Sequence, residues 1–499
     1  MGENTKGNAG VSRRNFVGGL AAAGLLSAGM LAGCAPKGAG DSAAGSASSS
    51  NIEKSYDLVI LGSGLAGLCA AIRAQENGNS VLLVEKAPSL AGASNSIFSG
   101  GALCKPNDES EESIQKFIDV LNIKSKEKGD PGITELLARN ITQDLEWLES
   151  KGVKIEPATK HEPFDCLKMY VSPGASQGMG ILMQTLVDEY TNNGGESLTD
   201  TRFLDFVLDN KRSVVGVEVL GKDGVEVIGA KTTVIATGGY VANKQILETY
   251  VGPDADEIMV RGSKIITGDG LQAAERIGAM LHQMGGESSL HIGAVVPENV
   301  GSGNPSNALG FCLSINSEGK RYTDESLGYV SHGKALMTQP GQVAALIFDA
   351  DTLQLEKVQQ DIARFDSFGS APVEADTLEE LAKIINVPAD ALVATVAEFN
   401  AAIDGDMTKG LAADKAALAR PVVTPKFYAF YPLYPGSIMG FGGIYTNSSM
   451  DVLRADETPI PGVKVVGEAM GGVFMYDYLA GSSLVRSIVS GIAVADGVK

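Results

Sequence analysis

Gly62-Ser63-Gly64-Leu65-Ala66-Gly67 is the segment of this chain most able to do chemistry. Its glycines allow a tight turn and let backbone N–H groups at a helix start approach a pyrophosphate. The apolar run Tyr56-Asp57-Leu58-Val59-Ile60-Leu61 precedes it, a helical stretch follows, and Ser80-Val81-Leu82-Leu83-Val84 ends at Glu85. That acid falls about 20 residues on, where a carboxylate can accept both hydroxyls of a ribose. A G-x-G-x-x-G alone says little. Flanked by strand, helix and acid, it is a dinucleotide-binding fingerprint.

The elements that must position this turn are spread along the chain. After Glu85 comes a Gly/Ser-rich passage, Ala91-Gly92-Ala93-Ser94-Asn95-Ser96, then Ser99-Gly100-Gly101, where backbone is expected to lie against something flat. Ile133, Leu136, Leu137, Ile141, Leu145 and Leu148 recur at three- and four-residue intervals, the apolar stripe of a surface helix, and Trp147 beside them reads as packing. Arg202 to Glu226 reads as a β-meander with a Lys222-Asp223-Gly224 turn. The chain then returns to the nucleotide fold at Thr232-Thr233-Val234-Ile235-Ala236-Thr237-Gly238-Gly239. Thr267-Gly268-Asp269-Gly270 opens a helix from Leu271 to Ala279 whose amides can face a phosphate. Val463-Lys464-Val465-Val466-Gly467-Glu468 is a further strand ending in an acid, with Gly471-Gly472 just beyond. Three separated segments thus converge on one nucleotide. Between them, Leu378 to Ala402 holds two helices with Leu381, Ile384, Ile385, Leu392, Val393, Val396 and Phe399 as the buried set. The expected class is α/β: a split Rossmann-like domain (residues 55–286 and 438–499) with an inserted α+β capping domain (287–437).

The first residues read as an address. Ser12-Arg13-Arg14-Asn15-Phe16 is a twin-arginine signal, and Leu31-Ala32-Gly33-Cys34 resembles a bacterial lipobox. Residues 1–34 are therefore expected to be a leader, with Cys34 the lipid anchor of a protein on the outer face of the cell membrane. The apolar run before Cys34 is short and Gly-rich for the about 20 residues a spanning helix needs. Residues 35–54 form a Gly/Ala/Ser tether with a reach of roughly 20 to 25 Å. The net charge of −20 argues against nucleic acid and anionic lipid as partners. Besides Cys34, the cysteines Cys69, Cys104, Cys166 and Cys312 are scattered, with neither C-x-x-C nor C-x-x-C-H, which gives no sign of a metal site or covalent haem.

Together with Lys86, Glu318-Gly319-Lys320-Arg321-Tyr322 and Gly467-Glu468, these segments resemble the fumarate-reductase-type flavoprotein family over nearly the whole chain after the tether. The resemblance implies FAD in the split domain, a cap closing over it, and either carboxylate reduction or 3-ketosteroid dehydrogenation. By resemblance, Glu85 with Lys86 would hold the adenosine ribose, and Gly62, Gly64, Leu65 and Ala66 the pyrophosphate. Ala93, Ser94, Gly100, Gly101, Ala236, Thr237 and Gly238 would lie along the cofactor, with Asp269 and Glu468 on the ribityl and neighbouring polar groups. Ser483 and Leu484 would meet the isoalloxazine edge. No histidine lies in the Gly/Ser passage after Glu85, so non-covalent FAD is expected.

Departures from the family pattern are more informative. Tyr329 stands where fumarate-type members carry a proton-donating arginine, Tyr478 replaces a carboxylate-clamping arginine, and Met439 replaces a substrate histidine. A carboxylate enclosed without a cation costs several kcal/mol. Of the remaining cations, Arg321 reads as structural, Arg486 as solvated or paired, and Arg261 and Arg454 are open. The two tyrosines resemble the 3-ketosteroid dehydrogenase branch, which implies Tyr329 as the proton-transfer residue and Tyr478 with the Gly481 N–H on a ketone oxygen. A phenol with its ordinary pKa near 10 stays protonated at neutral pH and donates without burying charge. Tyr322, His332 and His291 are alternative proton sources, whereas His161 and His282 read as ordinary surface or core residues. The expected activity is reduction or reversible desaturation of a C=C bond conjugated to a neutral carbonyl, as in a steroid or phenolic enone, with electrons from a separate cytochrome, flavoprotein or quinol system. A 3-ketosteroid dehydrogenase, a fumarate- or aryl-acrylate-type carboxylate reductase and a non-catalytic electron relay are the alternatives.

Overall fold

The structure is a computed structural model and describes residues 52–161, 164–284, 289–294, 305–366 and 370–498. Arg13, Arg14, Cys34 and most of the tether lie outside the described residues, as does the 286/287 boundary. Tracing the chain, strands β1 (Lys54–Leu61), β2 (Val81–Val84), β3 (Glu196–Leu198) and β4 (Gly224–Ile235) build one sheet. Strands β5 (Met259–Val260), β6 (Leu313–Asn316), β7 (Ala344–Asp349) and β8 (Phe427–Met439) build a second, and β9 (Asp451–Leu453) and β10 (Pro459–Val465) return to the first. Helices α1 (Leu65–Glu76), α2 (Pro131–Ser150), α3 (Asp269–Arg276), α4 (Tyr329–Met337), α5 (Ala389–Ala402) and α6 (Ser482–Gly497) connect and cover them.

The first sheet runs β9-β10-β4-β1-β2-β3. Its middle strands are parallel, with Leu61 opposite both Val84 and Ile235, and Val465 opposite Ile235. Those ends place the turn after β1, Glu85 after β2, Ala236 after β4 and Glu468 after β10 along one edge, the carboxyl ends where open α/β sheets bind ligands. Strands β1 and β2 read as continuous apolar runs because α1 and its neighbours cover them. The expected meander is present as Arg202–Leu208 and Val214–Gly221 pairing onto β4.

The second sheet orders as β5-β8-β7-β6, with β8 central and β5 parallel to it. It carries its own apolar clusters: Leu381, Leu392, Val396 and Phe399 on one side, Phe348, Phe365, Phe430 and Leu433 on the other. Ile384 departs from the expected buried set and is 45% exposed. It is the last residue of the short helix Leu378–Ile384, while its neighbour Ile385 turns inward. The four cysteines after the tether are free and buried, and no described helix is long and apolar enough to cross a membrane.

Candidate active site

A cavity opens along the carboxyl edge of the first sheet. Its wall contains Gly62, Gly64, Leu65, Ala66, Glu85, Lys86, Ala93, Ser94, Ala236, Thr237, Gly238, Asp269 and Glu468. The turn fits the backbone-cradle expectation closely. A Cβ on Gly62 would lie 2.5 Å from the Ala236 carbonyl oxygen, and one on Gly67 would lie 2.0 Å from the Gly62 oxygen. The turn, the α1 start and the following β4 loop therefore interlock through backbone atoms, which only glycine permits. Gly64 caps α1 without a side-chain acceptor, and the Leu65 N–H is taken by Ser96 Oγ at 3.1 Å. Other first-turn amides remain for an anion, as a pyrophosphate requires. Thr237 Oγ1 is buried without a partner among the described residues, a further polar atom in want of a ligand.

Glu85 is held from one side by the Ser63 N–H and hydroxyl, 3.0 and 2.7 Å from Oε2, and by the Ala87 N–H on Oε1. Oε2 thus accepts twice, while Oε1 accepts once and keeps a second lone pair for a ribose hydroxyl. Lys86 Nζ pairs with Asp269 at 2.9 Å, and the Thr267 hydroxyl also donates to Asp269. Burial works against the Asp269 charge, but these partners outweigh it and hold its pKa below the ordinary carboxylate value. Asp269 therefore stands beside the Glu85-Lys86 corner of the cavity. Glu468 stands apart, with Asn95 Nδ2 donating to Oε2 at 3.0 Å. Burial raises the Glu468 pKa, opposed by Asn95 and the Arg486 charge. Arg486 is buried rather than solvated, its guanidinium 4.7 Å from the Phe474 ring centre. Four expected residues lie off this wall. Gly100 and Gly101 precede the strand Ala102–Lys105, whereas Ser483 and Leu484 begin α6, one turn before Ser487, which does line it. Gly481 caps α6 with φ 101° and abuts Leu103, so the two groups of residues are neighbours.

Sequence reasoning passed over Asn95, Ser96, Thr201 and Phe203, all in the cavity wall. Asn95 ties three segments together: it also donates to the Ile438 carbonyl and accepts from the Ser263 N–H. Its place in a Gly/Ser-rich passage was the only available signal.

Tyr329 and Tyr478 meet, with hydroxyl oxygens 3.1 Å apart. Tyr329 packs on the Phe348-Phe430 cluster of the second sheet and Tyr478 on the core of the first, between Phe441 and Phe474. Burial holds the Tyr329 phenol well above its ordinary pKa, reinforced by Tyr478 and Asp477 and opposed by Arg261. The Gly481 N–H has no protein acceptor among the described residues. His161 Nε2 lies 3.3 Å from the Ala480 carbonyl, so this residue, expected to be ordinary, braces the loop that carries that N–H.

Tyr322 and His332 are turned to each other at 3.0 Å and to Ser314, and His332 is fully buried with its pKa pushed down to about 3 by burial. Such an imidazole is uncharged at neutral pH and lacks the acidic proton of an imidazolium. The side chain of His291 lies outside the described residues. Arg321 pairs with the buried Glu325 at 2.9 Å, a structural role as expected. Arg454 donates to the Pro459 carbonyl at a surface turn. Arg261 enters the tyrosine cleft. It follows β5, its N–H donates to the Ser437 carbonyl, and its stem lies on Gly436, where a Cβ would come within 2.5 Å of Arg261 Cδ. Of the two arginines that the sequence left open, Arg261 is thus the one that stands beside the tyrosines. The cation arrives from another element, so the position-by-position likeness gave no hint of it. Like the two tyrosines, Arg261 is enclosed by protein yet partly accessible, as a group lining an internal cleft must be.

The family described as the FAD binding domain matches residues 57–484. The chain belongs to this family, the fumarate reductase/succinate dehydrogenase type of flavoprotein. It is 27% identical to a probable fumarate reductase of Shewanella frigidimarina, over 90% of this chain and 76% of that one. With the 3-oxosteroid 1-dehydrogenase of Mycolicibacterium smegmatis it shares 26% identity over 85% of this chain and 94% of that one. It spans about half the length of the NADH:fumarate oxidoreductase of Klebsiella pneumoniae, matching 47% of it at 28% identity. Among solved structures, the open conformation of a flavocytochrome c3 fumarate reductase superimposes with a TM-score of 0.76 at 25% identity, over 90% of this chain and 79% of that one. The protein is an FAD-dependent oxidoreductase of the class that reduces or forms C=C bonds.

Proposed function

We propose that this enzyme saturates, or reversibly desaturates, a C=C bond conjugated to a neutral carbonyl, such as a steroid or phenolic enone. The observation that carries this reading is the Tyr329–Tyr478 hydroxyl pair at 3.1 Å, with both side chains half-buried. When bound, FAD supplies the hydride and returns to the reduced state at the expense of an external donor. The chain's own residues manage the proton and the oxygen. Tyr478 and the Gly481 N–H donate to the carbonyl oxygen and stabilise it as an enolate, each donor contributing about 2.7 to 4 kcal/mol. Tyr329 gives its proton to the α-carbon. A dicarboxylate would bring two charges to a pair of neutral phenols beside the Arg261 guanidinium, and one cation does not balance two carboxylates, which disfavours it. By microscopic reversibility the same groups run the reaction in either direction. The twin-arginine and lipobox motifs support an exported, lipid-anchored enzyme that draws electrons from a separate cytochrome, flavoprotein or quinol system.

The test is anaerobic reduction of the purified holoenzyme followed by reoxidation with paired enones and unsaturated carboxylates. Fast reoxidation by benzylideneacetone or a steroid enone, lost in Tyr478→Phe, is expected. Reoxidation by carboxylates alone would overturn the reading.

A further inference from the structure

Other charges that act on this cleft are paired in place. Asp477, which acts on Tyr329, pairs with Lys124 at 2.8 Å. Arg364, which acts on Arg261, pairs with Asp361 at 2.5 Å. Arg261 has no carboxylate within ion-pair distance among the described residues, and the groups that favour its charge are Tyr329 and Tyr478 in their ionised forms. An enclosed guanidinium without a counter-anion costs several kcal/mol. Burial lowers its pKa to about 10, which still leaves it charged at neutral pH. The position is built rather than incidental, because Gly436 clears the space its stem occupies. A fixed, unbalanced cation facing two neutral phenols suits an anion that exists only during turnover.

Resting on the reading above, we propose that Arg261 is the fixed countercharge for the Tyr329 phenolate left when that tyrosine protonates the substrate's α-carbon. In that step the α-carbon to hydrogen bond forms with the enolate electron pair, the Tyr329 O–H bond breaks, and its oxygen keeps the pair. The Tyr478 hydroxyl, released from the product oxygen, then hands its proton to Tyr329, and water restores Tyr478. Charge moves from enolate to phenolate to solvent beside one stationary cation. Arg261 is thus a positioning residue for a neutral acceptor and not an anchor for an acidic one.

Arg261→Gln and Arg261→Lys holoenzymes test this, with the FAD spectrum confirming that each is folded and loaded. Exchange of the α-hydrogens of benzylacetone in deuterated water reads the Tyr329 proton step without any redox turnover. The Gln variant is expected to lose about 100-fold in exchange and in kcat for benzylideneacetone, with KM little changed and partial rescue in the Lys variant. Equal exchange in wild type and Arg261→Gln, no exchange in the wild type, or a loss confined to the KM of unsaturated carboxylates overturns the proposal. Arg261-dependent exchange in an enzyme that reduces no enone would instead overturn the proposed function and leave the role of Arg261 standing.

Discussion

The two ends of the site are made by different means. At the nucleotide end, recognition is built into backbone: Gly62 and Gly67 bring backbone of β1, α1 and the loop after β4 within contact distance. At the tyrosine end it is built from side chains on three elements: Arg261 after β5, Tyr329 opening α4, and Tyr478 before α6. At Gly62 and Gly67 the first arrangement tolerates no added atom. The second tolerates loss of a functional group without loss of form. Substitutions should therefore separate them, the nucleotide end failing as a structure and the tyrosine end failing as a catalyst.

The largest expected effect is at Gly67. Alanine there would favour helix α1 by about 1 kcal/mol on propensity alone, yet its Cβ would lie 2.0 Å from the Gly62 oxygen. Gly67→Ala is expected to purify without flavin, read from the ratio of visible to ultraviolet absorbance. A full complement of FAD would break the contrast. At the other end, Tyr329→Phe is expected to retain its flavin spectrum and thermal stability while turnover falls roughly 10²- to 10⁴-fold, the range of a lost general acid. Loss of flavin in that variant would show that the tyrosine end also carries structure.

This division also explains what the sequence made legible. Backbone sites announce themselves because glycine at a fixed spacing has one physical reason to be there, and Glu85, Ala236 and Glu468 each follow an apolar strand that ends at the same edge. Asn95 and Arg261 carry no such pattern. Each acts through a side chain whose neighbours are set by sheet register: Asn95 on Ser263 and Ile438, Arg261 over Gly436. Ile384 shows the limit of periodicity from the other side, since its spacing fits the buried stripe but its helix ends at that residue. Arg486, with its apolar helix neighbours, gave no sign that it would stack on Phe474 and balance Glu468.

A smaller effect sharpens the tyrosine end itself. Tyr478→Phe removes one of two donors to the carbonyl oxygen and leaves the Gly481 N–H in place, so a loss of roughly 10²- to 10³-fold in kcat is expected, with FAD retained. Its effect should not add to that of Tyr329→Phe, because the two hydroxyls share one hydrogen bond. A double variant whose loss equals the product of the single losses would mean that the two tyrosines act independently.

The smallest effect concerns stability and compares two buried carboxyl groups. Glu468 is held in the cofactor cavity by Asn95 and the Arg486 charge. Asp144 on α2 has Oδ2 buried without a partner among the described residues, and burial, with the nearby Asp496 charge, pushes its pKa up to about 7. An acid whose folded pKa is raised binds more protons native than unfolded between about pH 4 and 7. Its protonated form costs the fold little below that window, and the penalty grows as pH rises through it and is complete above about pH 7. Asp144→Asn is therefore expected to stabilise the protein at pH 8 by on the order of 2 to 4 kcal/mol, and hardly at all near pH 4. Denaturant unfolding at both pH values reads the difference while FAD content stays constant. Equal gains at the two pH values would mean that the introduced amide packs better rather than that a charge has been relieved, and Asp144 would then have found a partner that its geometry does not show.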